Sequence, residues 1–330
     1  MTAIDISVRA PVVVVRRVLT TPTIGPLLAL VATMAFFSFK SDRFFEAQNF
    51  SLILQQVMVV GVLAIGQTLV ILTAGIDLSC AAVMAVGQIV IAKLAVANGV
   101  PAIPALLLGM LVCVGFGILN GGLVTRIRLP AFIVTLGTLN IAYALTHVIS
   151  NDLTFSPLPG ALLYFGNTFT IAGGHFTYGV VLMLVIYAIT WYALTQTAWG
   201  RHVYAVGDNR EAARLTGIKT ERVLLGVYAI AGLTYGIAAM LLLARTELGD
   251  PNAGQTTENL DAITAVVLGG TSLFGGRGTV IGTLIGATIV GVFRNGLTLI
   301  GVEPIWQYFV TGILIILAVS VDQLTHRGRG

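Results

Sequence analysis

The stretch Thr73–Val83, TAGIDLSCAAV, decides how the chain is read. It places a carboxylate, Asp77, between two apolar runs that carry almost no charge of their own. Outward from it the same texture continues: apolar runs of about 20 residues, long enough to cross a hydrocarbon core, recur along nearly the whole chain. Of the 330 residues 56% are hydrophobic and 10% charged, and the mean hydropathy is +0.94. A soluble domain carries about 25% charged residues, so that class is excluded. A membrane β-barrel would show short alternating segments instead, and these are missing. The pattern predicts an all-α, polytopic membrane protein.

About ten spans follow from the runs at 24–39, 52–73, 78–97, 103–124, 130–150, 178–196, 223–245, 262–274, 279–300 and 305–322. The eighth is short enough to be re-entrant. The first ends in FFSFKSD without a small-residue cleavage site and reads as an uncleaved helix. Basic residues orient the chain. Arg201, Arg210, Arg214, Lys219 and Arg222 crowd the 197–222 loop, whereas Asn151–Tyr178 has no Lys or Arg. With both termini cytoplasmic, the 1–23 and 323–330 tails, Arg126, Arg128 and Arg277 fall inside, and the acidic 246–261 segment falls outside. Lys40 and Arg43 are the exceptions. The net charge of +4 is therefore topology signal, with no case for nucleic-acid binding.

NGGLVTRIRLPAF (120–132) is echoed by NGLTLIGVEPIW (295–306), and more weakly DLSCAAVMAVG (77–87) by DAITAVVLGG (261–270). Repeats about five helices apart point in opposite directions, so the expectation is an inverted five-helix repeat with the pathway at its interface. Of the 38 glycines, Gly117–Gly121, Gly232–Gly236 and Gly282–Gly286 form GxxxG pairs suited to close helix packing. LGGTSLFGGRG (268–278) is denser and could break a helix beside a pathway.

Enzyme chemistry finds no footing. His147, His175, His202 and His326 lack the spacing of a helical metal site, so no metal or cofactor is expected. No lysine follows a glycine-rich loop, so the chain has no P-loop, and any ATP hydrolysis must occur in another subunit. Cys80 and Cys113 sit in apolar runs and read as packing residues. A carboxylate at a helix centre costs roughly 2.5–3.5 kcal/mol on insertion scales, which makes Asp77 a functional candidate. Gly75-Ile-Asp-Leu-Ser is also a helix start, in which glycine permits a turn and Asp caps the next apolar run. Capping and anchoring are favoured here, with cargo contact left open. Asn120 and Asn295 pose the same choice between interhelical glue and ligand contact. In WGRHVYAVGDNREAARLTGIKTERV (199–223), Asp208 or Asn209 caps a short surface helix that Gly217 ends, suited to docking a soluble partner. Arg294, inside the ninth span, could snorkel, pair with a carboxylate such as Glu303, or line the pathway.

GQTLVILTAGIDLS (66–79), NGGLVTRIRLPAFIVTLGTL (120–139), AVGDNREAARLTGI (205–218) and LDAITAVVLGGTSLFGGRGTVIGTLIGA (260–287) resemble the membrane permeases of bacterial sugar ABC importers. These are the ribose, xylose and galactose type, with a more distant likeness to branched-chain amino-acid permeases. The resemblance runs from about 50 to 315 in one register. It implies an inner-membrane permease that pairs with a second copy or paralogue, a cytoplasmic ABC ATPase subunit and a periplasmic sugar-binding protein. It makes 201–222 the ATPase-coupling segment, with Glu211, Ala212, Ala213 and Gly217 echoing the importer EAA-x3-G pattern and Arg201 and Asn209 beside them. Cys80-Ala81, Asp208 and Asn259 depart from the usual Val-Gly, Gly and Glu, which weakens any inference about which sugar is carried.

The expected function is the transmembrane domain, residues 24–322, of an ATP-driven, binding-protein-dependent carbohydrate importer. Sugars need hydrogen bonds without ion pairing, so neutral groups should line the pathway: Gln67, Asn120, Thr135, Asn140 and Asn295, with Asp77 alongside. Two alternatives are an ion-coupled carrier using Asp77 and an ABC permease for branched-chain amino acids. A non-transporting scaffold would leave the repeat and the glycine-broken helices unexplained.

Overall fold

The computed structural model describes residues 23–253, 258–303, 305–313, 316 and 320. The expected tails at 1–23 (apart from Thr23) and 323–330, part of the tenth span and part of the 246–261 segment lie outside the described residues. In chain order the helices are α1 (Ile24–Lys40), α2 (Ala47–Leu72), α3 (Cys80–Val96), α4 (Ala102–Gly122) and α5 (Ala131–Ser150). Then come α6 (Tyr178–Gln196), α7 (Ala198–Asp208), α8 (Arg210–Leu215), α9 (Thr220–Thr246), α10 (Glu258–Leu268) and α11 (Val280–Leu299). A π-turn at Leu123–Ile127 prolongs α4, and residues 305–313 are helical.

Six of these helices are long and apolar enough to cross a membrane, and α1 and α3 are shorter apolar helices. The chain is a polytopic, mostly helical membrane protein. It is not all-α: β1 (Thr168–Ile171) and β2 (Gly174–Thr177) form an antiparallel hairpin in the loop that lacks Lys and Arg. Thr, Phe and Ile alternate there around Ala172 and Gly173, whose φ values of +49° and +82° make the turn. Aromatic side chains pack across it, with Tyr164 stacked on Tyr178 at 5.4 Å between ring centroids.

Burial sorts the helices. In their most apolar windows 83% of α2 and 78% of α9 residues are buried, against 22% for α4 with its π-turn and 28% for α5 and α6. So α2 and α9 form the centre, and α4, α5 and α6 turn Leu, Ile and Phe side chains outward, as lipid-facing helices do. The GxxxG pairs explain the closest approaches. A Cβ on Gly117 would strike the Tyr228 carbonyl, and one on Gly232 the Cys113 carbonyl, so α4 and α9 meet backbone to backbone. Gly282 and Gly286 do the same for α11 against the Gly269 and Ala265 carbonyls of the α10 end. Cys80 and Cys113 are free and buried.

The eighth apolar run, expected at 262–274, is a helix of 11 residues that stops at Leu268. At 1.5 Å per residue it covers about 16 Å, half a hydrocarbon core. It stops because Gly270, Gly275, Gly276 and Gly278 all adopt positive φ, which unwinds 269–278 into a loop. Arg294 does not reach for Glu303. Its Nη2 lies 3.2 Å from Oδ2 of Asp261 on α10, since Glu303 follows the end of α11 beyond the turn at Gly301.

Candidate functional site

Between α2 and α3 the chain runs unwound through 73–79, and six other segments supply partners to it. The turn begins where Gly75 N donates to the Val70 carbonyl at 3.1 Å and the Thr73 hydroxyl to the same carbonyl at 2.8 Å. The left-handed residue is Ala74, φ +58°, rather than Gly75. Gly75 is needed for space instead: a Cβ there would come within 3.0 Å of the Tyr228 hydroxyl.

Beyond the turn, Asp77 is 1% exposed. Its Oδ1 accepts from Ser79 N at 2.8 Å and from the Ser79 hydroxyl at 2.6 Å, while Oδ2 accepts from the Tyr235 hydroxyl of α9 at 3.1 Å. This is a local Asx turn leading into α3, tied across to the central helix. The unwound carbonyls are also met: Leu72 by Gly276 N at 2.9 Å, Ile76 by the Thr135 hydroxyl at 3.1 Å, Asp77 by Gln67 Nε2 and Leu78 by Asn259 Nδ2 at 3.4 Å. Asn120 Nδ2 donates to the Ser79 hydroxyl oxygen at 3.1 Å. An interrupted helix inside a membrane requires such substitutes, because lipid offers none.

Of the sequence-derived pathway candidates, Gln67, Asp77, Asn120 and Thr135 therefore converge. Asn140 stands apart on the exposed face of α5, its Nδ2 donating to the Leu136 carbonyl at 3.0 Å. Asn295 is buried on α11, one residue past Arg294. Gln67 Oε1, Asn120 Oδ1 and the Tyr228 hydroxyl are buried without a hydrogen-bond partner among the described residues. The cluster thus holds neutral hydrogen-bonding groups that the described residues do not use. Ser79, Tyr228, Tyr235 and Asn259 were not singled out from sequence as members. Tyr235 was marked only indirectly, lying within the Gly232–Gly236 pair.

On the near side of this hub lies the 197–222 segment. Thr197 caps α7 by accepting from Gly200 N at 3.2 Å. Asn209 caps α8 by accepting from Ala212 N at 2.9 Å, and Gly217 adopts φ +89° just beyond its end. Glu211 and Arg214 pair at 2.7 Å on the exposed face, and Ala213 is the buried contact. Arg201 is exposed on α7. Gly207 sits so close to the Leu72 carbonyl that a Cβ would collide with it, and the same Cβ would lie 2.7 Å from Gly276 N. Tyr204 donates to the Gly278 carbonyl at 2.9 Å; its partial burial raises the phenol above its usual pKa and keeps it a donor. A cavity of about 680 Å³ opens between Gly75, Arg128, Arg210, Glu221 and Tyr228, joining this segment to the unwound turn.

Glycine-packed spans around a broken helix, with a capped surface helix close by, are features from which membrane transporters build a pathway. The chain belongs to the family described as branched-chain amino acid transport system / permease component, which it matches over residues 49–319. It is similar to the fructose import permease protein FrcC of Rhizobium meliloti, with 45% identity over 92% of this chain and 85% of that protein. It is 39% identical to the ribose import permease protein RbsC of Bacillus subtilis (strain 168), over 91% of this chain and 92% of the relative. The xylose transport system permease protein XylH of Escherichia coli (strain K12) is 33% identical over 91% of each. No solved structure matches the chain.

Proposed function

We infer that the chain is the translocating permease subunit of an ATP-driven, binding-protein-dependent sugar importer in the bacterial inner membrane. The observation that carries this reading is the likeness, over nine-tenths of the chain, to permeases named for fructose, ribose and xylose. The site agrees with it. Gln67, Asn120, Thr135 and Tyr228 offer uncharged hydrogen-bonding groups around one broken helix, whereas a branched-chain amino acid would bring two opposite charges needing counter-charges or helix termini.

Residues 24–322 form about ten spans in this reading, arranged as an inverted five-helix repeat with both termini cytoplasmic. Its support is the like placement of Asn120-Gly121 and Asn295-Gly296, each in the C-terminal part of its helix, α4 or α11. Each of these helices also bonds to a segment that carries a buried Asp, 77–79 or α10. The 197–222 segment is the coupling element. A cytoplasmic ATPase bears on Arg201, Asn209, Glu211, Ala212 and Gly217, while Ala213, the buried residue of α8, holds that helix to the rest of the chain, and movement of α7 and α8 reaches the unwound turn through Gly207. A periplasmic sugar-binding protein delivers cargo, and a second permease copy or a paralogue completes the channel. An ion-coupled mechanism on Asp77 is disfavoured by its geometry, since both carboxylate oxygens are already occupied by Ser79 and Tyr235.

Reconstitution tests this. Proteoliposomes holding the chain and its ATPase, supplied outside with the binding protein, are expected to take up a pentose or hexose only when ATP is inside. Alanine at Gln67, Asn120, Thr135 and Asn295 should lower uptake without disrupting the complex, whereas Asn140→Ala, on the exposed face of α5, should not. Unchanged uptake in all four buried-site variants sinks the lining assignment, and uptake by the chain alone under an ion gradient sinks the importer reading.

A further inference from the structure

The hub around Asp77 is not the only polar matter in the spans. Arg294 lies about 21 Å along α11, a helix about 30 Å long, so its Cα is far from the inner end. Its helical neighbours Gly291, Val292, Asn295 and Gly296 are buried, yet its own side chain is 29% exposed, while its partner Asp261 is 0% exposed. Arg294 stands five residues before the C-terminal end of α11, about 7.5 Å at 1.5 Å per residue, and its guanidinium is held toward the bundle by a fully buried carboxylate while part of it stays open. Further charges converge on it. Arg245 of α9 lies within electrostatic range of both Glu258 and Arg294, so α9, α10 and α11 each bring a charged residue to this region. On two of these helices, Asn295 Oδ1 of α11 and Glu258 Oε2 of α10 are buried without a hydrogen-bond partner among the described residues. Asn259, beside Glu258, donates to the Leu78 carbonyl and so joins this group to the unwound turn.

We propose that Arg294 lines the translocation pathway and reads the hydroxyl pattern of the cargo, with Asn295 as the accompanying acceptor and Asp261 as the positioning residue that fixes the guanidinium. A guanidinium presents its N–H donors in a rigid planar fork, which suits adjacent hydroxyl oxygens of a sugar ring, and lysine cannot reproduce that fork. Because Asp261 balances the charge, the pair asks for no ion in return. The expectation of an entirely neutral lining is thereby amended: a charge neutralised by its own partner serves a neutral cargo.

The proposal rests on the sugar-importer reading, and its test separates the two. In the full complex in proteoliposomes, Arg294→Cys introduces a thiol against a quiet background, since Cys80 and Cys113 are buried. A polar, membrane-impermeant thiol reagent is expected to label position 294, and the transported sugar with its binding protein should slow that labelling severalfold. In the same vesicles Arg294→Lys should raise the half-saturating sugar concentration severalfold and change the rank order across a pentose and hexose panel. Asp261→Asn should shift that rank order in the same direction by less, which a purely structural role would not do. If Arg294→Cys does not assemble, the sugar panels of Arg294→Lys and Asp261→Asn carry the test. Absence of labelling, labelling indifferent to sugar, or an unaltered panel in Arg294→Lys overturns the proposal while wild-type uptake leaves the importer reading standing. Wild-type vesicles that import no sugar overturn both.

Discussion

Replacing Asp77 tests whether this carboxylate is an anchor. Asp77→Ala removes the acceptor for three donors, namely Ser79 N, the Ser79 hydroxyl and the Tyr235 hydroxyl. The Ser79 hydroxyl has a substitute nearby, because Asn120 already bonds to it and the Asn120 carbonyl oxygen is unused. Two buried donors then remain unpaired, at about 1–3 kcal/mol each, so the variant should lose about 2–6 kcal/mol. Asp77→Asn keeps an oxygen where Oδ1 accepts from Ser79 N, which leaves only Tyr235 to be re-paired and limits the loss to about 1–3 kcal/mol. Thermal unfolding of the purified permease in detergent, followed by size exclusion, ranks the three proteins, with uptake measured on the same preparations. The expected order of stability is wild type, Asn, Ala. An alanine variant as stable as wild type, or an asparagine variant as unstable as alanine, would refute the anchoring argument. An asparagine variant of full stability that has lost all uptake would instead assign the charge itself a role in transport.

Other outcomes rest on the same structure. Tyr235→Phe strands Oδ2 of Asp77 and should cost about 1–3 kcal/mol, and combined with Asp77→Ala the two losses should fall well short of additive in the same unfolding assay. Gly232→Leu forces α9 off the Cys113 carbonyl of α4 and should lower thermal stability by about 1–3 kcal/mol or more, whereas Gly115→Ala, which meets nothing, should be neutral to slightly stabilising. Asn209→Ala removes the cap of α8 at a cost of about 1 kcal/mol. If α8 couples to the ATPase, sugar uptake should drop in that variant while the permease still assembles in the membrane, and unimpaired uptake would argue against the coupling assignment.

The spans were legible because long apolar runs have one structural meaning in a chain with so little charge. The breaks were legible at 73–79 and 269–278, where Asp or clustered glycines interrupt those runs. Sequence could not supply which interruption each partner serves. Gln67, Asn120 and Thr135 were visible as polar residues in apolar spans, but their convergence depends on α2, α4 and α5 meeting at one turn, a long-range fact with no local signature. Tyr235 and Asn259 escaped for the same reason. The turn was ascribed to Gly75, the residue that most readily permits one, whereas the left-handed conformation falls on Ala74. The β-hairpin was hidden in a polar-aromatic loop of two four-residue strands, too short for an alternation to stand out. For Arg294 the sequence left snorkelling, pairing with a carboxylate such as Glu303 and pathway lining open, and the meeting of α10 and α11 supplies Asp261 as the carboxylate.

The meeting of Gly207 with the Leu72 carbonyl and Gly276 N has one more implication. Side chains between two helices act as compliant material: they change rotamer, and part of any displacement is spent on that change. Here three stretches of main chain touch with nothing between them, so the joint has no such slack. If the 197–222 segment is the coupling element, a shift of α7 would pass to the turn before α3 and to the loop after α10 together through this one contact. The same absence of side chains makes the joint intolerant of mutation, since even a methyl group at 207 would have to push the neighbouring main chain aside.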